Sequence, residues 1–241
     1  MTDNLAQIWV YLAREPLAAL TVTLLAWLAA QRLHLACGRH PVANPVLIAV
    51  ALLAIGLVVT GIDYRTYFQG AQFVHFLLGP ATVALAIPLH RQWRMVRRSF
   101  PAIGLSVTVG GLVAAGIGVG FALALGASRA VTASLAPRSV TTPVAMGIAE
   151  RLGGLPSLTA AVVILSGIMG AVFGPMVLDL CQVRDERARG LAMGTVAHGI
   201  GTARALSENP VAGAFSGLAM GLNALLTALL LPLLWHLVMG G

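Results

Sequence analysis

Charge is what this chain has least of. Asp, Glu, Lys and Arg together make up 10% of its 241 residues, where an ordinary soluble domain carries about 25%. With 58% hydrophobic residues and a mean hydropathy of +0.89, a water-facing globular surface is excluded and an integral membrane protein is expected. Acidic residues are scarcer still, eight against fifteen basic ones, giving a net charge of +7. In a soluble protein that balance would suggest nucleic acid. Here the arginines fall mostly in short loops between apolar runs, the pattern of positive charge kept in the cytoplasm, so no nucleic-acid partner is expected. Only two cysteines occur, Cys37 and Cys181, far apart and near the ends of apolar runs. They supply neither a disulfide framework nor metal-ligand spacing, and no metal or other cofactor is expected. No basic segment followed by a small-residue cleavage site opens the chain, so a cleaved signal peptide is not expected. A nucleotide loop, an H-E-x-x-H pair and a nucleophile elbow are missing. The chain is not expected to be an enzyme and has no expected catalytic residues.

What is present is a series of long apolar runs, and a span needs about 20 such residues. Leu5–Ala13 is short and reads as an interfacial helix. Leu17–Gln31, extending to Leu35, is the first span, and Pro45–Ile62 the second. Thr66–Leu89 lacks Asp, Glu, Lys and Arg but is interrupted by Gly79-Pro80 and Pro88, so it reads as a discontinuous third span. The basic cluster Arg91, Arg94, Arg97 and Arg98 follows as a loop, and glycine-rich Pro101–Ala127 as the fourth span. Gly116 and Gly120 there form a GxxxG pair. Leu155–Leu178 and Val211–Trp235 are further spans, and Asn223 is expected to bridge helices within the last.

Two segments do not belong in an apolar chain. Ser134–Gly147 and Ala197–Pro210 carry hydroxyls, arginines, a histidine and helix breakers between hydrophobic runs. Within a bilayer such backbone survives only inside protein or beside a water-filled cavity, and broken polar segments point to a transporter's binding site. If Arg32–His40, Arg91–Arg98 and Arg184–Arg189 are all cytoplasmic, the N-terminus is periplasmic and Ser134–Gly153 must be re-entrant; if that segment crosses instead, three arginines move outside. The preferred arrangement is an all-α polytopic bundle of about seven spans plus one re-entrant segment, with discontinuous helices, in one domain over residues 1–241. Span, broken span, span recurs at 45–127 and 155–235. The breaks share His75-x3-Gly79-x2-Thr82 and His198-x2-Gly201-Thr202, an inverted repeat in this topology.

The runs His75-Phe-Leu-Leu-Gly-Pro-Ala-Thr-Val-Ala-Leu-Ala-Ile-Pro-Leu89, Ser134-Leu-Ala-Pro-Arg-Ser-Val-Thr-Thr-Pro143 and Ala197-His-Gly-Ile-Gly-Thr-Ala-Arg-Ala205, in that order, resemble the LrgB/CidB family of membrane proteins over essentially the whole chain. The resemblance implies two competing functions. One is a holin- or antiholin-like regulator of murein hydrolase activity and lysis. The other is a secondary transporter of small organic anions (glycolate, glycerate or pyruvate-like monocarboxylates) in the cell inner membrane, related to a plastid glycolate/glycerate translocator. It also implies a small LrgA/CidA-type membrane partner. No such domain precedes the chain as it does in the fused plastid form, so the partner is expected as a separate chain, and a homo-oligomer stays open.

An anionic substrate at bilayer depth needs positive potential and hydrogen-bond donors, which helix N-termini supply. Ser139, Thr141 and Thr142 lie beside an expected helix start at Pro143, with Thr142 as N-cap. Thr142 either caps only or also faces a carboxylate. Arg138 contacts substrate or snorkels to an interface. Arg204 contacts substrate or pairs with Glu208 four residues on. His198 binds substrate or carries a coupling proton, or else packs against a carbonyl. Gly201 permits close approach and Thr202 adds a hydroxyl. Gly79 and Thr82 form the counterpart break. The substrate site is expected where these three breaks converge.

Overall fold

The computed structural model describes residues 16–38, 43–77, 80, 83–84 and 86–240, and all regular structure among them is helical. The chain divides into two compact units, Met1–Ala84 and Leu85–Gly241. The expected interfacial helix at Leu5–Ala13, and Arg39, His40, Gly79 and Thr82, lie outside the described residues.

In the first unit, α1 (Pro16–Ala36) is the expected first span, and α2 (Pro45–Thr60) and α3 (Tyr64–Phe76) follow. Helix α2 starts as its sequence demands. The Asn44 side chain accepts from the N–H groups of Val46 and Leu47 at 2.9 and 3.3 Å, and Pro45 sits in the first turn, where its missing donor costs little. Gly61, at φ 65°, closes it. A bond of 2.8 Å between the hydroxyls of Thr23 and Tyr67 ties α3 to α1. The expected third span is corrected at its first half: the helix starts at Tyr64, ends at Phe76 and is amphipathic, because Arg65, Gln69 and Gln72 line one face of it.

The second unit contains α4 (Ala86–Arg91), α5 (Trp93–Ala124), α6 (Arg129–Leu135), α7 (Thr142–Arg151), α8 (Pro156–Leu180), α9 (Glu186–Glu208) and α10 (Pro210–Met239). With α1, the helices α5, α8 and α10 are long and apolar enough to cross a bilayer. The expected loop at Arg91–Arg98 is corrected. Helix α5 runs unbroken from Trp93 through Pro101, so Arg94, Arg97 and Arg98 occupy its first turns. At 32 residues it measures about 48 Å against a hydrocarbon core of about 30 Å. Those turns therefore reach past the apolar layer.

This unit has a basic end and an opposite end. Met95 and Val96 of α5 share a cluster with Leu191 of α9 and with Val211 and Phe215 of α10, so the starts of all three helices lie together. Arg94, Arg97, Arg98, Arg184, Arg187 and Arg189 gather here. Arg189 pairs with Asp179 at 2.6 Å and donates to the Val183 carbonyl, closing the α8–α9 turn. Asp185 caps α9 by accepting from the Arg187 N–H, and the Arg187 side chain beside it holds its carboxyl down to about 2. At the opposite end Arg129 donates to the Gly240 carbonyl at 2.7 Å, and Ser134 Oγ accepts from the Leu155 N–H at 2.8 Å.

Helices α6 and α7 form a hairpin from that opposite end. Its tip, residues 136–141, reaches Asn223 in the middle of α10, and α7 then returns to pack Ile148 and Leu152 in the cluster that holds Trp235. This is the expected re-entrant segment.

Helix α9 is the main correction. Its sequence, Gly190–Asn209, is expected to cross as a broken span. Instead it folds back on itself. His198 takes φ 39° and ψ −129°, outside the helical region. A methyl group added at Gly190 would lie 2.3 Å from the Ala212 carbonyl oxygen, and one at Gly213 would lie 2.6 Å from Cα of Leu206. Residues 190 and 206 thus flank neighbouring positions of α10, although a straight helix would hold them about 24 Å apart. Arms 186–197 and 199–208 are about 18 and 15 Å long, too short to cross. The seven expected crossings lose this one, and a second re-entrant hairpin, entering from the basic end, takes its place.

Candidate functional site

The two hairpin tips meet in the middle of the second unit, between α5, α8 and α10. Asn223, 1% exposed, joins them. Its carboxamide nitrogen donates to the Ser139 carbonyl of the first tip at 3.2 Å and to the Thr195 carbonyl of the second hairpin at 3.0 Å. Both hydrogens of that nitrogen are used. Its oxygen faces α5 at Gly111, where an added methyl would lie 2.3 Å away. Beside it is a crevice of about 20 Å³ lined by Gly111, Ala115, Thr227 and Leu230, room for about one water.

Helix α8 holds the tips from the other side. Ser166 Oγ donates to the Arg138 carbonyl at 3.0 Å. His198 Nε2 lies 3.0 Å from the Val163 carbonyl oxygen, so this nitrogen carries the proton and donates. Gly167 faces the imidazole so closely that a methyl there would come within 2.6 Å of the ring. The arrangement at His198 is that of a packed histidine bonded to a carbonyl.

The second hairpin is bound to its neighbours by backbone proximity. Methyls added at Gly190 and Gly194 would strike the carbonyls of Ala212 and Ser216 at 2.3 and 2.1 Å, and one at Gly201 would meet the Met193 carbonyl at 2.7 Å. Gly201 is thus the residue that lets the arms fold together. Buried Thr202 donates to the His198 carbonyl at 2.8 Å and shares a bond of 2.9 Å with Ser216. Arg204 lies on the returning arm and pairs with Glu208 at 2.6 Å, one helical turn on.

The first tip is different. Arg138 is half-buried, its guanidinium has no acceptor among the described residues, and it lies against α5 where Gly118 leaves space. A methyl at Gly118 would sit 1.8 Å from Nη1. Ser139 is 3% exposed and its hydroxyl has no hydrogen-bond partner. The expected N-cap is corrected by one residue: α7 begins at Thr142, and Thr141 holds the cap position without a side-chain bond. Thr141 and Thr142 are half-buried. The first N–H groups of α7 therefore lack the usual cap.

Of the expected site residues, Asn223 contacts the Ser139 backbone. His198 and the Arg138 carbonyl lie on α8 at Val163 and Ser166, and the Arg138 head lies at Gly118 of α5. Thr202 is bonded to Ser216 of α10, and Gly201 packs on Met193 within its own hairpin. Arg204 is paired with Glu208, and Gly79 and Thr82 are outside the described residues. Sequence reasoning missed Ser166, Thr195, Ser216, Gly111 and Gly118. Ser166 and Ser216 each precede a glycine inside an apolar run, a signal for a polar contact at close helix approach.

Residues 23–237 match the LrgB-like family. An uncharacterised Bacillus subtilis protein, YwbG, is 36% identical over 90% of this chain and 96% of its own length. An uncharacterised Haemophilus influenzae protein is 35% identical over 81% of this chain and 84% of its own. A Staphylococcus epidermidis protein named holin-like protein CidB is 32% identical over 81% of this chain and 86% of its own. No solved structure matches the chain.

Proposed function

The chain belongs to the LrgB-like family, and on that premise we propose that it is a multi-pass carrier of small organic anions, of the glycolate, glycerate or pyruvate type, in the cell inner membrane. One observation supports this reading above others: two re-entrant hairpins enter from opposite ends and meet at Asn223. Short helices that stop at mid-depth place helix termini and polar side chains where a carrier binds its substrate. The arginines of the α5 and α8–α9 turns lie at one end, which faces the cytoplasm by the distribution of positive charge. Movement of one hairpin against the other gives alternating access. A separate small LrgA/CidA-type membrane protein is the expected partner.

A second reading has its own support. Staphylococcal relatives are named holin-like protein CidB, and these names favour a holin- or antiholin-like regulator of murein hydrolase activity over a carrier. The two readings separate in liposomes holding the purified protein. Saturable uptake of labelled glycolate or pyruvate is the carrier's result. Leakage of a large dye without saturable uptake is the holin's and would remove the carrier reading.

A further inference from the structure

From the first tip we infer a seat for a single carboxylate, built of the Arg138 guanidinium, the Ser139 hydroxyl and the uncapped N-terminus of α7, with Gly118 of α5 as the slot that holds Arg138 in place. This deepens the carrier reading and rests on it, by assigning the atoms that hold the substrate's charge.

Three sets of unused donors fall within a few residues of chain. The guanidinium has no acceptor among the described residues, although three other arginines of this unit, Arg187, Arg189 and Arg204, have carboxylate partners. The Ser139 hydroxyl is buried and unpartnered, which is costly for a group left so. The start of α7 lacks a side-chain cap, and a helix N-terminus attracts negative charge. Each deficiency alone has an ordinary cost. Together, on one tip held at mid-depth, they are the donors a carboxylate accepts from. One guanidinium and one helix terminus amount to about one and a half positive charges, which suits a monoanion and not a phosphate dianion.

Gly118 is what makes room for the Arg138 head. A methyl on α5 here would meet Arg138 Nη1 at 1.8 Å. The guanidinium lies across bare backbone, aligned by it. Substituting Gly118 therefore displaces the arginine head without touching the tip itself. The second hairpin offers nothing equivalent: Arg204 is paired, and Thr202 and His198 are bonded within the protein.

The test is anion binding to the purified full chain in detergent, followed by calorimetry with sodium glycolate, inorganic phosphate and neutral ethylene glycol. Glycolate is expected to bind saturably, and phosphate and ethylene glycol are expected not to. Arg138→Gln and Gly118→Ala should each weaken glycolate by about tenfold or more, as loss of a charge-assisted bond does. Gly118→Ala guards against a tip that fails to fold, since the nearest neighbour is the end of a flexible side chain and the Leu135 carbonyl oxygen, at 3.3 Å, need give only by tenths of an ångström. Glycolate binding unchanged in both variants overturns the seat, as does tighter binding of phosphate than of glycolate. Liposome uptake is scored separately. Saturable uptake with unchanged binding in the variants overturns the seat and leaves the carrier. Arg138-dependent binding without uptake upholds the seat and overturns the carrier.

Discussion

The two hairpins enter the same bundle from opposite ends and are fixed by different means. The first is held by side chains reaching for backbone: Ser166 for the Arg138 carbonyl, Asn223 for the Ser139 carbonyl and Ser134 for the Leu155 N–H. The second has such bonds too, Asn223 to the Thr195 carbonyl, His198 to the Val163 carbonyl and Thr202 to Ser216, but it is in addition interlocked through missing side chains. Gly190, Gly194 and Gly201 bring its arms onto α10 and onto each other, and Gly167 lets the His198 ring lie on α8. A tip held by hydrogen bonds can exchange them for bonds to a ligand at little net cost, because each is worth only about 0.5–1.5 kcal/mol. A tip held by interlocked backbone has no such exchange available and moves only as a body.

The comparison breaks entirely if α9 crosses the membrane, which gives the largest expected effect. With α9 as a hairpin and the basic end in the cytoplasm, α10 ends in the periplasm. Alkaline phosphatase fused after Gly241 should be active in cells, and a green fluorescent protein fused there should be dark. The reverse pair of results would mean that α9 spans and that the second hairpin does not exist.

Glycine substitutions sharpen the contrast next. Gly194→Ala places a methyl 2.1 Å from the Ser216 carbonyl oxygen. Backbone must then move, and the expected loss is about 2–3 kcal/mol or more. Gly118→Ala meets a side-chain terminus that swings away, and alanine's better helix propensity offsets part of the cost. A net change below about 1 kcal/mol is expected there. Thermal unfolding in detergent should show a large drop for Gly194→Ala and little for Gly118→Ala. Similar drops in both would mean that the first tip is locked as firmly as the second.

Asn223→Ala removes the one side chain among the described residues that is bonded to both hairpins. It strands the Ser139 and Thr195 carbonyls, at about 1–3 kcal/mol for a buried polar group left unpaired. The loss should fall between those of the two glycine variants. A neutral outcome would show that the hairpins hold their places without the shared clamp.

The first hairpin was largely legible in the sequence. Pro137, Pro143 and clustered hydroxyls in an apolar chain mark a break, and the arginine distribution favours a segment that turns back over one that crosses. The second was legible as a break but not as a reversal. Gly199 and Gly201 suggest where backbone could bend, yet the bend falls on His198, whose φ 39° and ψ −129° lie outside the regions that residues with a side chain ordinarily occupy. What stabilises it there is tertiary: the Val163 carbonyl, the space left by Gly167 and the Ala197–Gly201 contact. None of these is near in sequence except the last. Arg138 and Arg204 look alike in sequence, each an arginine beside hydroxyls in a broken segment. The structure separates them by their partners.

That separation carries the smallest prediction. Arg204 and Glu208 are a turn apart on one arm, with side chains 16% and 42% exposed, and such a helical pair contributes about 0.3–0.5 kcal/mol. Solvent at Glu208 screens it further. Arg204→Gln should shift the unfolding midpoint barely, and glycolate binding should stay within about twofold of the parent. Paired with Arg138→Gln, it assigns the substrate's charge to one hairpin or the other. A tenfold loss in Arg204→Gln would place the returning arm of α9 in the seat, and the division into a ligand-exchanging tip and a rigid one would fail.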